Sequence, residues 1–252
     1  MCTHRPRRHN PTARVMLAVA AASLASAAGC SRVTSQSLNA DGVRLYQSGN
    51  YQAATEQFQK AIASNPESAD GYYNLASSLH QSGKVQNRPD DLRRAEELYN
   101  QALNYSPDHA DSYRGLAVLL TDTGRRDAAF RLLEGWAARS PQLADPRIEL
   151  ARLLEESGSS QQATTRLVEA LVIDPQNARA LTALGRLREQ SGDTAQALAN
   201  YERSLNVNRF QPEIAARVAM LKANGSASAL PMGPPSQPTT RTVQQTRPTV
   251  RY

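Results

Sequence analysis

The 252-residue chain is predicted to be all-α: a solenoid of about five helix pairs followed by one capping helix. Three observations predict this. Aromatic residues make up only 5% of the chain, while alanine, leucine, glutamine, serine and arginine are abundant. That balance suits packed helices better than sheets, where β-branched and aromatic residues concentrate. The glycines at 49, 83, 124, 158 and 192 are separated by 34, 41, 34 and 34 residues. The prolines at 66, 107, 141 and 175 are separated by 41, 34 and 34. Two residue types sharing one period mark internal repeats, and the single seven-residue excess falls between Gly83 and Pro107. A chain of this length allows one elongated domain with tails rather than two full cores.

Residues 1–29 read as a removable leader. Arg5, Arg7, Arg8 and Arg14 precede the uncharged residues 15–28, a stretch too short to span a bilayer. His9, Asn10 and Pro11 stand where a twin-arginine leader wants apolar residues, so the general secretory route is expected. Two cleavage readings follow. Ala25-Ser26-Ala27 is a site for ordinary signal peptidase and would release a soluble periplasmic or secreted protein with a free Cys30. Ala27-Ala28-Gly29-Cys30 resembles the bacterial lipobox, whose cysteine is diacylated and becomes the new N-terminus, although leucine is usual where Ala27 stands. The lipobox is favoured, because a lone thiol in an oxidising compartment is otherwise an unexplained liability. A chance cysteine in a linker is the plainer reading. An arginine-rich mitochondrial transit peptide is a third option, which the lipobox disfavours. The lipobox places the protein in the bacterial cell envelope, tied to membrane by its N-terminal lipid. Ser31 follows the cysteine where aspartate would signal inner-membrane retention, so the outer membrane is expected.

After a short linker, 30–34, the repeats run 35–68, 69–109, 110–143, 144–177 and 178–211. Each glycine lies between two apolar helical patterns, where a residue at positive φ can end one helix and reverse the chain. Each proline follows the second helix and stops it. Second helices carry Ala54, Phe58 and Ala61, then Ala95, Tyr99 and Ala102, Ala129, Leu133 and Trp136, Ala163, Leu167 and Ala170, and Ala197, Tyr201 and Ser204. Spacings of four and three put each trio on one face. First helices carry stripes such as Tyr72, Leu75, Ala76 and Leu79, with Asp41, Arg147 and Arg188 off pattern. The insertion, 84–94, is expected to lengthen the turn of the second repeat, with Pro89-Asp90-Asp91 starting a helix. Residues 212–223 read as the cap, through Ile214, Val218 and Leu221. The tail, 224–252, has five prolines, five threonines, three arginines and no acid, and is expected to be disordered.

Formal charge narrows function. The chain is +6, but the leader holds four arginines and no acid and the tail three, which leaves 22 basic against 23 acidic residues between them. A near-neutral body carries no footprint for a phosphate backbone, so no nucleic-acid partner is expected. Beyond the leader only His80 and His109 remain, in different repeats and outside any metal-binding spacing. No nucleophile elbow, phosphate loop or dinucleotide fingerprint occurs. The chain is therefore expected to be no enzyme, with no cofactor, metal or small-molecule substrate.

The five registered copies resemble the tetratricopeptide repeat, which pairs an aromatic, a leucine, a small residue and a tyrosine in helix A with Ala, Phe, Ala and Pro in helix B. The resemblance implies a right-handed α-solenoid whose A helices line a concave groove for a protein partner. By repeat position the groove candidates are Tyr46, Tyr73, Asn74, His80, Arg114, Glu149, Arg152 and Arg186, with Asp70, Asp111, Asp122, Asp145, Glu156, Arg179 and Glu189 on the same helix faces. Asn74 matches the carboxylate clamp of the family's chaperone-binding members, but Asp111 and Gly115 stand where that clamp needs cations, and the mixed acidic and aromatic groove suits a polar or basic partner segment instead. The implied function is a scaffold similar to the tetratricopeptide lipoproteins that serve pilus or secretion assembly. An adaptor recruiting an envelope hydrolase or protease is the alternative.

Overall fold

A computed structural model describes residues 34–228; the leader, Cys30 and the tail beyond 228 lie outside the described residues. The described chain holds eleven helices and no strand. They are α1 (34–47), α2 (Tyr51–Ser64), α3 (Ala69–Gln86), α4 (Pro89–Tyr105), α5 (Ala110–Asp122) and α6 (Arg126–Arg139). Then follow α7 (Asp145–Glu156), α8 (Ser160–Ile173), α9 (Ala178–Gln190), α10 (Thr194–Val207) and α11 (Pro212–Ser228). Odd-numbered helices up to α9 are the A helices, even-numbered ones the B helices.

Local chemistry explains these bounds. The side chains of Asn50, Ser68, His109, Asn177 and Asp193 each accept from the backbone N–H three residues on, satisfying a donor that a helix start leaves orphaned. Helices α2, α4, α6 and α8 stop at Asn65, Ser106, Ser140 and Asp174, each placed before a proline and out of the helical region, with φ between −124° and −144°. Asn208 adopts the same backbone although Arg209 replaces the proline.

Four of the five periodic glycines behave as expected, with φ between 76° and 86° at Gly49, Gly124, Gly158 and Gly192. The residue after each donates to the carbonyl five positions back, at 2.7–2.9 Å, closing the A helix. Gly83 does not. It lies inside α3, and Asn87 takes the left-handed turn at φ 52°, with Arg88 N–H bonded to the Gly83 carbonyl at 2.8 Å. The insertion therefore lengthens helices rather than a turn. Asn87 is 38 residues after Gly49 and 37 before Gly124, four and three more than the period. Each amounts to about one helical turn, so both partners of the antiparallel pair grow together and keep the same faces in contact. Gly83 is needed for closeness, since a Cβ there would lie 2.9 Å from Leu92 Cδ2 and 3.1 Å from the Arg88 carbonyl oxygen.

All fifteen residues of the B-helix trios are buried, from Ala54 to Ser204. Trp136, the one large residue at a position otherwise small, is fully buried; its ring stacks on Tyr113 at 4.1 Å and its N–H donates to Asp108 at 2.9 Å. The A-helix stripes are wider than the sequence pattern. Ser78, Leu119, Leu153 and Leu187 are also buried, and Ser78 satisfies its hydroxyl on Thr55 and the Tyr51 carbonyl. Helix α11 packs Ile214, Val218 and Leu221 on Tyr201, and runs to Ser228, past the expected end at 223. Successive A helices touch, α3 on α5 and α5 on α7, while successive B helices make no comparable contact. The A helices thus form the inner, concave side.

Close packing of A on B generates a test. A Cβ at Gly185 would lie 2.7 Å from the buried ring of Tyr201. Gly185→Ala should therefore lower stability by about 1–3 kcal/mol in urea unfolding, although alanine is the better helix former by about 1 kcal/mol.

Candidate functional site

From α3 onward the concave face is stitched by pairs that join one A helix to the next. Between α3 and α5, His109 Nε2 lies 2.9 Å from Asp70, and His80 Nε2 and Lys84 Nζ lie 3.1 and 2.7 Å from Asp122. Arg114 of α5 reaches Glu149 of α7 at 2.9 Å. Between α7 and α9, Arg179 binds Asp145 at 3.0 Å and Glu149 at 2.5 Å, and Arg186 binds Glu155 at 2.6 Å. Arg217 of α11 binds Glu189 of α9, and Tyr201 donates to the same carboxylate at 3.0 Å. Burial and that bond push the Tyr201 hydroxyl up to about 12.

Two hollows open on this face, one before the first of these rungs and one among the last. The N-terminal one, about 230 Å³, is lined by Val43, Tyr46, Gln47, Phe58, Tyr73, Asn74 and Ser77. None of these side chains is charged. Burial raises the Tyr46 hydroxyl pKa, helped by the neighbouring Tyr51 and Tyr73. The Tyr73 ring is fixed by Tyr99 at 6.1 Å and His109 at 5.8 Å.

The C-terminal hollow, about 320 Å³, lies between α7 and α9, with Asn208 and Gln211 at its edge. Ile148, Ala151, Leu167 and Ala183 supply its apolar lining; Glu149, Arg152, Glu155, Arg179 and Arg186 supply its charges. Glu149 is 0% exposed and is approached by Arg114 Nε and Nη2, Arg152 Nε and Arg179 Nη2. Burial alone would raise its pKa; the hydrogen bonds and charges of Arg114 and Arg179 outweigh burial and hold the carboxyl below its ordinary value. Arg152 also binds Glu156 at 2.5 Å.

The structure sorts the eight sequence candidates. Tyr46, Tyr73 and Asn74 come together in the first hollow, Glu149, Arg152 and Arg186 in the second. Arg114 lies between them as part of the Glu149 cluster. His80 is not a partner contact: it is 3% exposed, and burial lowers its pKa despite the pull of Asp122. Glu149 is likewise a floor rather than a surface group. Arg179, a helix-A position of the fifth repeat, also lines the second hollow, whereas the helix-A pattern misses Glu155 and the two loop residues, Asn208 and Gln211. Gln211 cross-links its loop through bonds to Ser204 and the Asn208 carbonyl. Arg209 in place of the periodic proline is the sequence signal that this turn differs. Among the described residues, no group of three or more His, Cys, Asp or Glu is placed to hold a metal, and no helix is long and apolar enough to cross a membrane.

A family profile described as TPR repeat matches residues 42–83, and two described as tetratricopeptide repeat match 89–153 and 148–213. Among solved structures, TTC0263, a thermophilic TPR protein of Thermus thermophilus, is 22% identical with a TM-score of 0.56, over 75% of this chain and 99% of that one. A tetratricopeptide repeat protein from Parabacteroides merdae is 14% identical with a TM-score of 0.55, over 73% and 70% of the two chains. PilF of Pseudomonas aeruginosa is 17% identical with a TM-score of 0.50, over 79% and 89%. At these identities the likeness concerns the fold. No curated protein matches the chain in sequence.

The Glu149 cluster has a measurable consequence. Glu149→Gln leaves three guanidinium groups around a neutral amide and should cost about 3 kcal/mol at neutral pH. Because folding lowers the pKa of this carboxyl, its contribution is full above the ordinary carboxylate range and is lost as pH falls through the folded value. The gap in urea midpoint between wild type and variant should therefore close on acidification; a gap that persists in acid would locate the effect in packing rather than charge.

Proposed function

The chain belongs to the tetratricopeptide repeat family, and on that premise we propose that it is a non-catalytic scaffold of the bacterial envelope. It holds partner proteins in its concave groove while lipid on Cys30 keeps the solenoid at a membrane surface, the outer membrane being favoured by Ser31. The process served is the assembly of a pilus, a secretion apparatus or another envelope complex. The observation that carries the reading is the concave face itself. Two hollows of about 230 and 320 Å³, one neutral and aromatic, the other charged, lie along one series of A helices, a layout suited to an extended segment. The anchor is supported by Ala27-Ala28-Gly29-Cys30, and two acyl chains bind a membrane stably where one binds marginally.

Anchor and groove are tested separately. Cys30→Ala should move the protein from the membrane to the soluble fraction, and the intact mass of the wild type should show an acylated N-terminal Cys30. An N-terminus at Ala28 with a free thiol would overturn the anchor. Capture from detergent-solubilised envelope should recover pilus or secretion components in a manner weakened by Tyr46→Ala or Tyr73→Ala, with helicity unchanged; recovery of hydrolases or proteases would favour the adaptor instead.

A further inference from the structure

We propose that the C-terminal hollow receives an acidic segment of a partner protein, seating a carboxylate side chain against Arg186 and Arg152 and a neighbouring aliphatic side chain on the apolar lining. The inference rests on the groove reading above and specifies the chemistry of its occupant. The sequence, with its many groove acids, suggests a polar or basic partner. The structure removes the basis for that, because the acids here are already engaged. Glu149 is approached by four guanidinium nitrogens, Glu155 is bound by Arg186, Asp145 by Arg179, Glu156 by Arg152 and Asp111 by Arg114.

What remains is donor capacity. The lining residues include three arginines against two glutamates. A guanidinium carries five N–H groups, and the Arg186 side chain, 54% exposed, shows a single hydrogen bond, to Glu155. Arg152 Nη2 is buried without an acceptor among the described residues, and a turn of the guanidinium that exchanges its bond to the exposed Glu156 for an incoming carboxylate would give it one. A carboxylate matches the planar fork of a guanidinium, and the apolar surroundings strengthen the attraction. Beside the charges, Ile148, Ala151, Leu167 and Ala183 offer room for an aliphatic side chain. The loop that carries Asn208 and Gln211 also carries Phe210, 94% exposed, an aromatic of the kind that anchors partners.

The test is selection of random phage-displayed peptides on the purified full chain in detergent. The selected sequences should place Asp or Glu beside Leu, Ile or Val, and replacing that acid by its amide should weaken binding about ten-fold. Arg186→Gln should give a similar loss and abolish the difference between acid and amide, and binding should weaken with salt. Arg152→Gln, checked for helicity by circular dichroism, should behave likewise. Basic or acid-indifferent peptides whose binding still falls in Tyr73→Ala would overturn the proposal and leave the groove reading standing. Peptides indifferent to both Tyr73→Ala and Arg186→Gln, or failure to select any, would overturn both. Arg186-dependent binding to vesicles of anionic phospholipid, with no preference among peptides, would assign the hollow to a membrane surface instead.

Discussion

The stack depends on how closely each A helix approaches its B helix, and that distance is set by one small residue meeting one large one. The small residue is Gly42, Ala76, Ala117, Ala151 or Gly185, all buried; the large one is Phe58, Tyr99, Leu133, Leu167 or Tyr201. The choices compensate in volume. Where the B helix presents an aromatic ring, at Phe58 and Tyr201, the A helix offers glycine, and where it presents leucine the A helix offers alanine. The second repeat pairs Tyr99 with Ala76 and finds its space in the next repeat: a Cβ at Gly115 would lie 2.5 Å from the Tyr99 ring. Keeping total volume constant while exchanging its parts lets unlike sequences share one helix spacing.

The same constraint explains what happens to the seven extra residues. An insertion placed in the turn would leave the A and B helices unchanged, and the period of glycine and proline points that way. Instead Leu92 packs against Gly83, and the pair extends by one turn on each side before Asn87 reverses the chain. Periodicity reveals that Gly83 is required, but not why, since a glycine that permits a left-handed turn and one that permits close contact look alike in sequence. Asn87 was legible in principle, because asparagine is the side chain that best tolerates the left-handed region after glycine.

Much of the fold could be read from residue spacing, because burial follows face, and face follows spacing. All fifteen B-helix trio residues are buried, and α11 caps the stack with the side chains that its pattern names. The site was legible only in part. Spacing places Arg114, Glu149, Arg152, Arg179 and Arg186 on the inner side, yet it does not say which charge meets which. Those pairings join residues about one repeat apart, such as Arg114 with Glu149 and Asp145 with Arg179, and depend on the rotation between neighbouring A helices. A list of groove acids therefore overstated the negative character of a surface whose acids are neutralised from within.

The pairs on the inner side also divide the solenoid into firm and yielding parts. Glu149 is buried and joins α5, α7 and α9; removing its charge would leave arginines uncompensated, so that crossing has one stable arrangement. Arg186 and Glu155 join α7 to α9 farther along, through one bond at a half-exposed guanidinium, where solvent screens the attraction and a rival acceptor costs little to admit. A ligand can alter the spacing of the A helices only through a contact that it exchanges, and only by the difference in its affinity for the two arrangements. A ligand that takes Arg186 from Glu155 would therefore act on the spacing of α7 and α9 beyond the Glu149 crossing, which itself ties α5, α7 and α9 together.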